Sequence, residues 1–139
     1  MRQAVTELII ETPGRALLDV TAQVTRWVRS ERMQQGLLTI FCRHTSASLL
    51  IQENADPSVR TDILSYFDRI APEDDRLYTH DAEGPDDMPA HLRTALTQVQ
   101  LTIPLVAGDL SLGTWQGIYL FEHRRAPHRR RLALHLLGA

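Results

Sequence analysis

Residues 44–56 read His-Thr-Ser-Ala-Ser-Leu-Leu-Ile-Gln-Glu-Asn-Ala-Asp. The apolar run at their centre, Leu49-Leu50-Ile51, is too short for a helix, has no helical period and is bounded by polar residues. That pattern predicts a buried strand over 48–53. His44 at its entrance and Glu53 at its exit add a second constraint, because an ionisable group beside a core needs a partner. Two later segments, His80–His91 and Leu112–Arg124, carry the same mixture of ionisable and apolar residues. The three segments are expected to converge on one site.

Around this stretch the chain divides into short elements. Val5, Leu8, Ile9 and Ile10 predict a first strand over 4–11, closed by the turn pair Pro13-Gly14. Leu17–Val20 continues it. Asp19 or Thr21 caps a helix expected to run to about Gln35, with Val20, Val24, Trp27 and Val28 inward and Gly36 as its stop. Leu37–His44 reads as a strand with Leu38, Ile40, Cys42 and His44 on one face. Asp56-Pro57 starts a second helix whose stripe is Val59, Ile63, Phe67 and Ile70, ended by Pro72. Residues 71–87 are polar and acidic, a loop with room for a short strand near Leu77-Tyr78; a connection this long is usually functional or mobile. Asp86 or Asp87 caps a third helix with Leu92, Leu96 and Val99 inward. Strands follow over 101–106, 117–123 and 129–137. In the last, Leu132, Leu134 and Leu136 point one way and Arg131, Ala133 and His135 the other. Strands outnumber helices without regular interleaving. The expected class is therefore α+β: one compact domain over 1–139, a mainly antiparallel β-sandwich flanked by about three helices.

Composition matters chiefly for what it excludes. A formal net charge of -2 points to neither a nucleic-acid nor a membrane partner. The single Cys42 rules out an internal disulfide framework and suits a reducing compartment. No apolar run approaches the roughly 20 residues of a membrane helix, and the N-terminus lacks a secretory apolar core. A cytoplasmic location is the expectation.

Among six histidines, three stand out. His44 ends a strand beside Thr45, Ser46 and Ser48, His80 sits in the acidic loop, and His91 lies in the first turn of a helix, where the helix dipole disfavours imidazolium. With Asp81, Glu83, Asp86 and Asp87 they supply the donor types of a divalent metal site, although the spacing is no short metal motif, and hydrogen-bonded histidines explain them equally in kind. Thr45, Ser46, Ser48 and Thr114 with Arg124 suit phosphate oxygens, or else cap strand-edge backbone groups. Trp115, in the tight loop between Gly113 and Gly117, is either the wall for a flat ligand or a core plug. Ser48 lacks a nucleophile elbow, and Cys42 lies on an apolar face where a thiol is inert. The arginines at 124, 125, 129, 130 and 131 lack the interleaved aromatics of a nucleic-acid surface.

Four motifs, His44-Thr45-Ser46-Ala47-Ser48, Glu53-Asn54-Ala55-Asp56-Pro57, the run from His80 to His91, and Gly113-Thr114-Trp115-Gln116-Gly117-Ile118, resemble the YjbQ family, also called the secondary thiamine-phosphate synthase family. The resemblance spans nearly the whole chain. It implies a homotrimer with sites near subunit boundaries. It also implies an activity joining hydroxymethylpyrimidine diphosphate to a thiazole phosphate with release of diphosphate, possible as a side reaction of another phosphate-handling or metal-assisted hydrolytic enzyme. A non-catalytic metal- or small-molecule-binding trimer is the remaining alternative. The matching positions His44, His80 and His91 become candidate ligands of a divalent metal, zinc or magnesium. His44, Glu53, Asp87 and His91 become candidate catalytic groups. Thr45, Ser46, Ser48, Asn54, Thr114, Trp115, Gln116 and Arg124 become candidate contacts to a small phosphorylated substrate.

Overall fold

The computed structural model describes residues 1–139. The elements run β1 (Arg2–Thr12), β2 (Ala16–Asp19), α1 (Thr21–Ser30), β3 (Gln35–Cys42), β4 (Ala47–Glu53), α2 (Pro57–Ile70), α3 (Asp87–Leu96), β5 (Gln100–Val106), β6 (Asp109–Leu110), β7 (Gln116–Glu122) and β8 (His128–Gly138). All strand pairings are antiparallel, in a five-stranded sheet of order β1-β8-β3-β5-β6 and a three-stranded sheet of order β2-β7-β4.

Alternation sets the layers. Leu132, Leu134 and Leu136 of β8 and Leu38 and Ile40 of β3 are buried on one face of the large sheet. They meet Leu49 of β4 and Ile118 and Leu120 of β7 in the main core, which Val24 and Val28 of α1 help to close. The central strand β7 is buried on both faces. Tyr119 and Phe121 turn the other way, join Leu17, and are covered by Ile63, Leu64 and Phe67 of α2. The result is an α+β sandwich with α2 as an outer layer.

Several element boundaries differ from the expected ones, each for a local reason. α1 ends at Ser30, and Arg32 turns the chain with a left-handed φ of 57°. Gly36 is therefore no helix stop: it lies in β3 opposite Gly138, where a Cβ would strike the Leu137 carbonyl oxygen. β3 stops at Cys42, so His44 sits in the β3–β4 turn rather than on the strand face. Asp56 caps α2 as expected, accepting from Ser58 N at 2.9 Å. Asp86 stands at the N-cap position of α3, but its carboxylate bonds to Arg124 and Arg125 N instead of capping. The expected strand near Leu77-Tyr78 is a 3-10 turn, Asp75–Leu77. Ile70 and Leu96 are 43% and 63% exposed; the buried face of α3 carries Asp87, Pro89, Ala90 and Arg93 instead. Arg93 is held on that face through one nitrogen: Nη2 donates to Asp68 Oδ1 and Ala71 O, both at 3.1 Å, while Nε and Nη1 are buried without a partner.

Candidate metal centre and adjoining groove

The register of the small sheet sorts the candidate residues. β4 and β7 run antiparallel with Ala47 opposite Glu122 and Glu53 opposite Gln116. Six steps of about 3.3 Å separate the two ends by about 20 Å. One end gathers the turn after His44, Ser46, Ser48, Glu122, His123 and Arg124. The other gathers Glu53, Asn54, Thr114, Trp115 and Gln116. The three expected segments thus meet only in part: their 44–48, 80–91 and 122–124 portions share the first end, through Thr45 O on His91 and Arg124 on Asp87, while 53–56 and 114–116 lie at the other. Glu53 uses its carboxylate to accept from Ala55 N and Asp56 N, fixing the turn into α2. Asn54 Nδ2 donates to Gln116 O at 3.4 Å, and Trp115 is 62% exposed rather than a core plug.

At the first end, α3 brings Asp87 and His91 together as an i, i+4 pair, and the preceding loop adds His80. Asp87 Oδ2 lies 2.8 Å from His80 Nε2 and 3.2 Å from His91 Nε2. The three donor atoms all fall within 4.8 Å of one another. Zinc bonds of about 2.0–2.2 Å place neighbouring tetrahedral donors about 3.3 Å apart, so only small movements separate this arrangement from a ligand set. Arg124 holds the frame. It donates to Asp87 Oδ1 at 2.8 Å, to Asp86 Oδ2 at 3.0 Å and to Glu83 O at 2.9 Å, tying the loop to the end of β7.

One hydrogen bond fixes the chemistry of His91. Its Nδ1 lies 3.1 Å from Thr45 O. A carbonyl only accepts, so Nδ1 carries the proton and a neutral His91 turns the Nε2 lone pair toward the Asp87 carboxylate. Two lone pairs at 3.2 Å repel unless a proton or a cation lies between them. A histidine with its outer nitrogen tied to a backbone carbonyl is the usual arrangement of a metal ligand. Burial raises the carboxyl pKa of Asp87, but the His80 hydrogen bond and the Arg124 guanidinium beside it outweigh that effect, and the group stays anionic. Burial likewise opposes ionisation of Asp86, yet hydrogen bonds from Arg124 and Arg125 N hold it at about 2.

His44 stands outside this donor group. Its Nε2 accepts from Arg131 N at 2.7 Å, which removes that nitrogen as a ligand. His44 and His91 instead line an open groove of about 690 Å³ with Phe41, Cys42, Arg43, Thr45, Thr94, Ala95 and Val99, several of them apolar. Phe41 and Thr94 were not among the residues singled out from sequence. The signals for both exist: Phe41 alternates with Ile40 and Cys42, so it faces outward, and Thr94 is three residues from His91 on one helix face. Cys42 is buried, and desolvation pushes its thiol up to about 11, leaving it inert.

Two further polar groups lie behind the groove, sealed from solvent. Ser48 Oγ is 2.8 Å from His123 Nε2 and 2.6 Å from Thr97 Oγ1. Both Ser48 and His123 are fully buried, so this pair is a structural contact and not a nucleophile with its base. Fully buried Glu122 accepts from Thr12 Oγ1 at 2.6 Å and from Arg130 Nε at 2.7 Å, and Arg130 also donates to Ser46 Oγ at 3.0 Å. Ser46 and Ser48 are thereby committed to internal partners.

Comparison with known proteins agrees with the fold. Residues 6–139 match the family described as UPF0047 protein YjbQ-like. A UPF0047 protein of Synechocystis sp. is 50% identical over 131 residues, 94% of this chain and 89% of its own length. The UPF0047 protein YjbQ of Salmonella typhimurium is 45% identical over 106 residues, 76% of each chain. Among solved structures, an uncharacterised yjbq/upf0047 family protein of Clostridium acetobutylicum superposes with a TM-score of 0.86 at 34% identity, covering 95% of this chain and 99% of its own. A conserved hypothetical protein of Thermus thermophilus gives 0.84 at 32% identity, with the same coverage.

Proposed function

This chain belongs to the UPF0047 YjbQ-like family, and from that premise we propose a metal-dependent enzyme acting on a small phosphorylated substrate. The reaction proposed is thiamine-phosphate-synthase-like transfer. The bond from the pyrimidine methylene carbon to diphosphate oxygen breaks, its electron pair leaving with diphosphate, and the thiazole nitrogen lone pair forms the new C–N bond. No redox partner is needed. The observation that carries the reading is the His91 ring, pinned by Thr45 O so that its free lone pair meets Asp87 and His80.

His80, Asp87 and His91 would hold the ion, and two imidazoles with one carboxylate favour zinc over magnesium. When bound, such an ion neutralises charge on a departing diphosphate. The chain's own residues supply the rest. Arg124 keeps Asp87 anionic and oriented, Thr45 O fixes the His91 ring, and the groove beside Phe41 offers a wall for a flat ring. Three protein donors leave a coordination position open to water, which favours metal-assisted hydrolysis as the second reading.

The test is zinc content together with product formation. The expected outcome is about one zinc per chain, metal-dependent formation of thiamine phosphate, and a loss of about 100-fold or more of both affinity and turnover in H91A. Phosphate release with no coupled product selects the hydrolase. Absence of zinc uptake, or unchanged turnover in a folded H91A, overturns the metal-enzyme reading.

We further propose that three copies assemble through the outer face of the five-stranded sheet. Val5, Ile9, Leu37, Phe41 and Leu137 are all exposed on that one face, and a grouped apolar patch is what an interaction surface presents. On the same face Glu7 is already paired with Arg43 at 2.8 Å and Arg131 at 3.1 Å, so those charges need no counter-ion from a neighbouring copy.

A further inference from the structure

We propose that His44 is a fixed hydrogen-bond donor that selects ligands presenting a phosphoryl oxygen in the groove beside the His80–Asp87–His91 centre. This rests on the metal-centre reading above and adds to it a residue that recognises substrate without touching the ion.

The argument starts from a backbone amide. Arg131 N can only donate, and it points at His44 Nε2 over 2.7 Å. That nitrogen therefore bears a lone pair, and the ring proton resides on Nδ1. Protonating the ring would set two N–H groups against each other. The surroundings act in the same direction: burial and the neighbouring Arg130, Arg43 and Arg131 charges disfavour imidazolium, and only Glu122 opposes them. An ordinary histidine offers either a donor or an acceptor. His44 is left with a donor alone.

No group in the chain accepts the Nδ1 proton, and the ring lines the groove. The next residue after His44, Thr45, holds His91 through its carbonyl. One short turn between β3 and β4 thus orients a metal ligand and presents a donor beside it. A ligand matching this edge must bring an acceptor; a protonated amine would face Nδ1–H unpaired. An acceptor that also reaches the cation-binding cluster is anionic, and a phosphoryl group has enough oxygens to serve His44 and the centre at once.

The experiment has two arms. In the metal-free protein labelled with ¹⁵N, two-bond proton–nitrogen spectra report the tautomer. The expected result is a His44 ring with its proton on Nδ1 that stays neutral to lower pH than an ordinary histidine. In the zinc-loaded protein, inorganic diphosphate is titrated calorimetrically and the His44 Nδ1–H resonance is followed. H44F is expected to weaken diphosphate binding about tenfold or more while keeping wild-type zinc content. H44Q, whose carboxamide can accept from Arg131 N and donate into the groove, stays within about threefold. An Nε2–H tautomer, a His44 resonance unmoved by diphosphate, or unchanged binding in H44F overturns the proposal. Loss of zinc in H44Q overturns it too, by making His44 a ligand. Failure of the wild type to take up zinc sinks the metal centre instead, while the tautomer arm still decides the state of His44.

Discussion

His123 has no exposed surface, and its environment keeps it neutral. Burial first, then the nearby Arg93, Arg130 and Arg15 charges, push its pKa down to about 3. In the unfolded chain the same ring takes up a proton near pH 6.5. Between these values the unfolded state binds more protons, so stability rises with pH and is lost progressively as the pH falls from about 6.5 toward 3, by at most about 1.4 kcal/mol per unit. Urea unfolding across this range should show that slope in the wild type and a flatter one in H123F. An equal slope would assign the effect to other groups. At this scale the sequence was least legible. His123 and His44 look alike as letters near strand ends, and only coordinates reveal that one pairs with a buried serine while the other accepts from a backbone amide. Glu53 reads as a catalytic carboxylate, and its role as a turn fastener depends on amides two and three residues ahead that no spacing rule singles out.

At the scale of elements, Glu122 joins parts that the chain visits far apart. It ends β7 of the small sheet and receives hydrogen bonds from Thr12 of β1 and Arg130 of β8 in the large one. Removing one partner of a fully buried ion pair strands the other charge, at a cost of about 3–5 kcal/mol. E122A should lose stability by about that much in denaturant titrations, whereas a surface pair such as Arg29–Asp109 should change little when broken. A near-neutral E122A would mean that Arg130 finds another partner or water. Strand positions were legible because their alternation is strong: Leu132, Leu134 and Leu136 announce their face directly. Helix faces were not. Leu96 fits a three-and-four spacing, yet Arg93 takes the inward side because Asp68 and Ala71 O are placed to receive it, and partners distant in sequence override the local period.

On the scale of the whole molecule, the unpaired feature is the outer face of the five-stranded sheet. Sedimentation of the wild type should give the mass of three chains, and L37E/L137E should give monomer, since Leu37 and Leu137 are paired across β3 and β8 on that face. A wild type that sediments as one chain would remove the assembly proposal. No helix is long and apolar enough to cross a membrane.

The distance between the two ends of the small sheet has a spectroscopic corollary. Trp115 lies at the end remote from His80, Asp87 and His91, with its indole already largely in water. Its emission reports solvent at its own loop and stays indifferent to an ion at the opposite end. A dark response in Trp115 fluorescence is therefore no sign that the histidine centre is empty.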